Sequence, residues 1–132
     1  MDEVKYMRQM IKEERGQSMV EMALVLPLLL ALVFGIIEFG HIYSTKIEMN
    51  NLARQAVRTA AVSDKADYNT VASSIQTYAR SNLGMKTATV SIPPPVGSDV
   101  TATVTYSVPL ITGQIIGKGT KSLESKATMK VE

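Results

Sequence analysis

The segment Arg15-Gly16-Gln17-Ser18-Met19-Val20-Glu21 sets a peptide bond that follows a glycine close to a carboxylate at the head of an apolar run. Two kinds of chemistry fit this spacing. In the first, Ser18 caps a helix and Glu21, three residues on, reaches back to a backbone N–H, as in a capping box. In the second, the Gly16–Gln17 bond is hydrolysed. That releases an α-amine with a pKa of about 8, largely charged at neutral pH. Glu21 becomes the fifth residue of the new chain. A carboxylate in hydrocarbon costs about 2.5–3.5 kcal/mol on insertion scales, and pairing with an amine offsets much of that. An amine in the same subunit or in a neighbour could serve, and the second case would fix the register between subunits.

The remainder of the chain offers little covalent chemistry. There is no cysteine, which removes disulfides, thiolate metal sites and thiol catalysis. His41 is the only histidine, so a routine interfacial role is expected for it rather than metal ligation. Ser, His and Asp occur, but no local motif groups them into a nucleophilic set. Neither metal-ligand spacing nor a cofactor motif is present, so no catalytic residue, cofactor or metal is expected. The net charge of +2 is too small to imply nucleic acid, and Lys118, Lys121, Lys126 and Lys130 have no aromatic stacking partners near them.

The elements that must position Glu21 begin with residues 1–16, a leader with four basic and four acidic side chains. From Met22 to Ile37 the chain carries no charge for sixteen residues. With its flanks, to about Tyr43, this run reaches the roughly 20 residues needed to cross a bilayer. A cleaved secretory signal would have a shorter apolar core, of about 7–15 residues. Thr59-Ala60-Ala61 could imitate its cleavage site but lies too far downstream. The positive-inside bias is slight, with Lys5, Arg8, Lys12 and Arg15 on one side and Lys46, Arg54 and Arg58 on the other. The leader is placed in the cytoplasm because a short segment before a first apolar helix usually stays there. Pro27 should bend the span, Ala31 and Gly35 form a small-xxx-small pair that permits close helix approach, and Glu38 is expected to snorkel at the outer interface.

No strong breaker follows the span. Ile42, Met49, Leu52, Ala53, Ala56, Val57 and Ala60 recur at helical steps, so the helix should continue as an amphipathic one to about Val62, a rod of about 65 Å. Ser63-Asp64-Lys65 reads as a break, after which Asp64 or Asp67 can cap a second helix whose apolar face runs from Tyr68 to Leu83, with Asn82 and Gly84 at its end. The period then changes to two. Ala88, Val90 and Ile92 form one strand, closed by Pro93-Pro94-Pro95, and Val96-Gly97-Ser98-Asp99 turns the chain. Val100 to Val108 form the clearest strand, Pro109 to Gly119 connects, and Leu123, Ala127, Met129 and Val131 mark the inner face of a third. The fold class is α+β: a long N-terminal hydrophobic helix, transmembrane and extending outward, then a second amphipathic helix packed on a small antiparallel sheet of about three strands.

The run from Arg15 to Leu30, Phe34-Gly35-Ile36-Ile37-Glu38-Phe39-Gly40 and the helix Asn51 to Ala61 together resemble the TadE-like family, pilin-like proteins of bacterial tight-adherence (Tad/Flp) pilus systems. The resemblance covers residues 15–62, and the strand-rich tail follows it more weakly. It implies cutting after Gly16 by a prepilin peptidase, with Gln17 as the new first residue and Glu21 acting in assembly. Its other implied partners are pilin-like subunits, the pilus assembly machinery and bacterial membrane lipid, with no nucleic acid. The implied organisation is a cytoplasmic leader at 1–16, a transmembrane and extended helix at 17–62, and an exported α+β domain at 63–132. The implied location is the bacterial cytoplasmic membrane, single-pass, with entry into a surface pilus as a further step. The expected function is that of a non-enzymatic minor pilin or pseudopilin. The competing readings are a permanently anchored, uncleaved extracytoplasmic binding module and an anchored enzyme.

Overall fold

The computed structural model describes residues 2–64, 67–117 and 119–131, and the side chains at 2, 5–15 and 114–116 also fall outside its description. The leader cations Lys5, Arg8, Lys12 and Arg15, the side chains of Ile115 and Ile116, and Lys65 and Lys118 therefore lie outside the described residues. Two compact units result, Met1–Ile37 and Glu38–Glu132.

The first helix, α1, runs Asp2–Val62. The leader is thus helical, and the expectation of a helix starting near Ser18 is corrected. The cause lies in composition: residues 2–15 contain neither Gly nor Pro and are rich in Met, Lys, Arg, Glu and Gln, all good helix formers. Gly16 alone costs only about 1 kcal/mol, too little to stop the helix. Pro27 sits inside α1 and is tolerated there. Lacking an N–H, it leaves the carbonyl of Ala23, four residues back, without its usual partner. In the first unit the apolar side chains from Met19 onward are exposed in the isolated chain; Leu24 is 75% exposed and Leu28 74%.

The second unit builds the core. Met49, Leu52, Ala53, Ala56, Val57 and Ala60 of α1 are all buried, as their spacing predicts. Helix α2 (Tyr68–Asn82) buries Tyr68, Val71, Ile75 and Ala79 on one face. Asp67 precedes it but makes no side-chain capping bond, so the expected aspartate cap is absent at that residue. Its backbone (φ −95°, ψ 0°) is already helical rather than extended, whereas a capping residue typically adopts the extended region. The C-terminal expectation holds: α2 ends at Asn82, Gly84 takes φ +67°, and Met85 N–H donates to the Ala79 carbonyl at 3.1 Å.

Strands β1 (Thr89–Ser91), β2 (Asp99–Pro109) and β3 (Thr120–Lys130) form an antiparallel sheet in the order β1-β2-β3. The turn expected at Val96-Gly97-Ser98-Asp99 is present. Val96 and Asp99 exchange backbone hydrogen bonds at 3.2 and 3.3 Å around Gly97, whose φ is +70°. In β2, Val100, Ala102, Val104 and Val108 are buried, and Tyr106 packs against the core less completely. In β3 the expected inner face is present at Leu123 and Ala127, which pack half-buried against the core. Met129, expected to face inward, is 42% exposed, and the buried residue is Ser125, opposite Val104. The stretch expected only to connect holds a short helix, α3 (Ile111–Ile116), closed by Gly117 at φ +81° with its N–H on the Gly113 carbonyl. A Leu110 N–H to Gly119 carbonyl bond of 2.7 Å closes the loop at its base.

Candidate functional site

Gly16, Gln17 and Glu21 all lie on α1 and are exposed. Among the described residues no atom outside the local helix lies within 4 Å of where a Cβ on Gly16 would sit. The Gln17 amide Nε2 donates to Glu21 Oε1 at 3.4 Å, one helical turn apart. That distance is long for a hydrogen bond, so the contact is weak. Because α1 runs unbroken through this region, the backbone N–H groups near Ser18 are internal to the helix. The capping-box account of Glu21 therefore fails: Ser18 caps nothing, and the partner of Glu21 is a side chain. The surface beside Glu21 is lined by Ser18, Met19, Met22 and Val25, all of α1, and is a groove between side-chain ridges rather than an enclosed site.

Further along the same unit, Ala31 and Gly35 are exposed, and the space beside Gly35 is open. The stretch Gly16–Val62 contains an 18-residue window apolar enough to cross a membrane, none of it buried. An apolar surface of this size on one helix needs lipid or another protein to cover it.

Three polar contacts in the second unit bind α1 to the β2–β3 half of the domain. Glu38 Oε2 accepts from the Thr112 backbone N–H at 3.3 Å and from the Thr112 hydroxyl. Lys46 Nζ donates to the Glu124 carbonyl, and Ser125 Oγ donates to Asn50 Oδ1. The expectation that Glu38 snorkels freely is thereby corrected. Its carboxylate is partly buried because α3 supplies two donors, and Oε1 is buried without a partner among the described residues. None of these pairs was visible in the sequence, since 74 to 78 positions separate the partners. His41 is exposed and its carbonyl accepts from Thr45 Oγ1 at 2.9 Å. Among the described residues no group of three His, Cys, Asp or Glu is placed to hold a metal ion.

An apolar helix with an unburied surface and one early carboxylate, leading into an α+β domain, is long and apolar enough to cross a membrane once. More particularly, residues 16–58 match the sequence model of the family described as TadE-like protein. The resemblance drawn from the sequence is borne out over that segment, which starts at the glycine and ends near the close of α1. No curated protein and no solved structure matches the chain.

Proposed function

We propose that this chain is a non-enzymatic minor pilin or pseudopilin that supports assembly of a Tad/Flp-type pilus, made as a membrane-anchored precursor and cut after Gly16. The observation that carries the reading is the family match, which begins at Gly16 and includes Gln17 and Glu21. The geometry supports it. Side chains on a helix tilt toward its N-terminus, so Glu21 covers the turn in which the Gln17 backbone nitrogen lies. Cutting would place a charged amine within one turn of the carboxylate, replacing a weak amide contact with an ion pair in a poorly solvated setting. The same pair could form between neighbouring subunits. Gly16 also makes the helix easiest to unwind locally, since glycine disfavours a helix interior by roughly 0.5–1 kcal/mol relative to alanine. In this reading the leader lies in the cytoplasm, the span crosses the cytoplasmic membrane, and the 63–132 domain is exported. A prepilin peptidase, other pilin-like subunits and the assembly machinery are its partners.

Two measurements test this. N-terminal sequencing of protein extracted from membranes of cells with an active pilus peptidase should begin at Gln17; an intact leader there refutes processing. Glu21→Ala should leave the protein at normal abundance in the membrane while abolishing its support of fibre assembly. Undiminished fibres in that variant would favour the permanently anchored binding module.

A further inference from the structure

We propose that the β2–β3 connection is a second membrane contact, in which α3 rests in the lipid headgroup layer beside the point where α1 leaves the bilayer. This rests on the reading of the apolar half of α1 as a membrane span. Thr112 is held by Glu38 through both its N–H and its hydroxyl. Glu38 is the first charged residue after the uncharged run ending at Ile37. At 1.5 Å rise per residue, the attachment of α3 therefore lies within about one helical turn of the end of the span. The loop has the composition of an interfacial element: Leu110, Ile111, Ile115 and Ile116 in sequence, with no charge from Leu110 to Gly117. Ile111 is 41% exposed although it sits beside a residue anchored to α1.

The neighbouring surface of α1 has matching chemistry. Phe39 and Tyr43 are 70% and 60% exposed, and their rings stack with centroids 6.2 Å apart. Exposed aromatics just past an apolar span are typical of the membrane–water interface. The occupant inferred is thus the lipid surface itself. The Glu38–Thr112 clamp ties the loop to the residue of α1 that directly follows the uncharged run. The β1–β2 turn at Gly97 lies at the other end of β2, roughly 30 Å away along the strand.

Tryptophan is absent from the chain, so single introduced tryptophans report without background. The full chain would be reconstituted in phosphatidylcholine vesicles brominated either near the glycerol end or deep in the acyl chains. Leu28→Trp reports the span, Ile111→Trp reports α3, and Val96→Trp, at a position 86% exposed, reports the far turn. The expected result is loss of Leu28→Trp emission to deep bromines, loss of Ile111→Trp emission to shallow ones, and quenching of Val96→Trp only by aqueous acrylamide. Adding Glu38→Ala should weaken the shallow quenching of Ile111→Trp while leaving that of Leu28→Trp unchanged. If Leu28→Trp is quenched by lipid but Ile111→Trp behaves like Val96→Trp, the span stands and the second contact falls. Shielding of Ile111→Trp from acrylamide without lipid quenching would assign α3 to a protein neighbour and also overturn the proposal. If Leu28→Trp is not quenched either, the spanning reading itself fails.

Discussion

The two halves of α1 share a backbone conformation and differ in what covers them. From Met19 to Ile37 apolar side chains occupy every side of the helix and none is buried in the isolated chain. From Glu38 to Val62 they narrow to a stripe, and Met49, Leu52, Ala53, Ala56, Val57 and Ala60 vanish beneath α2 and the sheet. An apolar surface on all sides calls for lipid or many neighbours, whereas a stripe calls for one domain. The contrast teaches that stability of the domain and function of the span are carried by different residues of one helix, and so can be broken separately.

The sharpest break pairs Met49→Ala with Leu28→Ala. Met49 is completely buried, and truncating such a residue costs about 2–5 kcal/mol in lost burial and cavity formation. Leu28 is 74% exposed, so its truncation should leave domain stability unchanged. Urea unfolding in detergent, followed by tyrosine near-UV circular dichroism, would read both. Equal losses in the two variants would show that the halves are energetically one unit.

A smaller effect comes from enlarging rather than truncating. Ala56 is fully buried, and Ala56→Leu forces extra methyl groups into a packed core at about 1–3 kcal/mol. The same change at exposed Ala31 should stay within about 0.5 kcal/mol in the unfolding assay. If Ala31 and Gly35 pack against a neighbouring helix, Ala31→Leu would act in assembly alone, lowering fibre yield at unchanged domain stability.

Much of this division was legible in the residues. Three- and four-residue spacing identified the buried stripe of α1, and alternation identified the inner faces of β1 and β2, because those patterns follow directly from side-chain geometry. The start of the family segment was legible too, since glycine, carboxylate and apolar run are contiguous there. What escaped notice has two causes. The leader helix was hidden because its eight charges made it read as a polar leader, although Val4, Met7 and Ile11 recur at helical steps and its residues are good helix formers. The clamp on Glu38 and the Ser125–Asn50 bond depend on partners far away in the chain, which no local pattern encodes. Met129 was misjudged because alternation sets the face of a residue but not whether anything covers it at the end of an edge strand.

Ser125 provides the finest test of how the packed half is held. It sits on the inner face of β3 between Leu123 and Ala127, only 3% exposed, where an apolar residue would ordinarily be found. Its hydroxyl donates to Asn50 of α1, so the sheet edge is joined to the helix by direction as well as by burial. A buried hydroxyl without its partner loses solvation, whereas removing hydroxyl and partner together is close to neutral. Asn50→Ala alone should therefore cost about 1–3 kcal/mol, and Ser125→Ala alone about 0.5–1.5 kcal/mol, because Asn50 is exposed and water can replace the serine. The double variant should be less destabilised than the sum, with a coupling of about 0.5 kcal/mol or more between contacting residues. Strict additivity would mean that burial alone attaches this half of α1 to the sheet, and that the hydrogen bond contributes no stability.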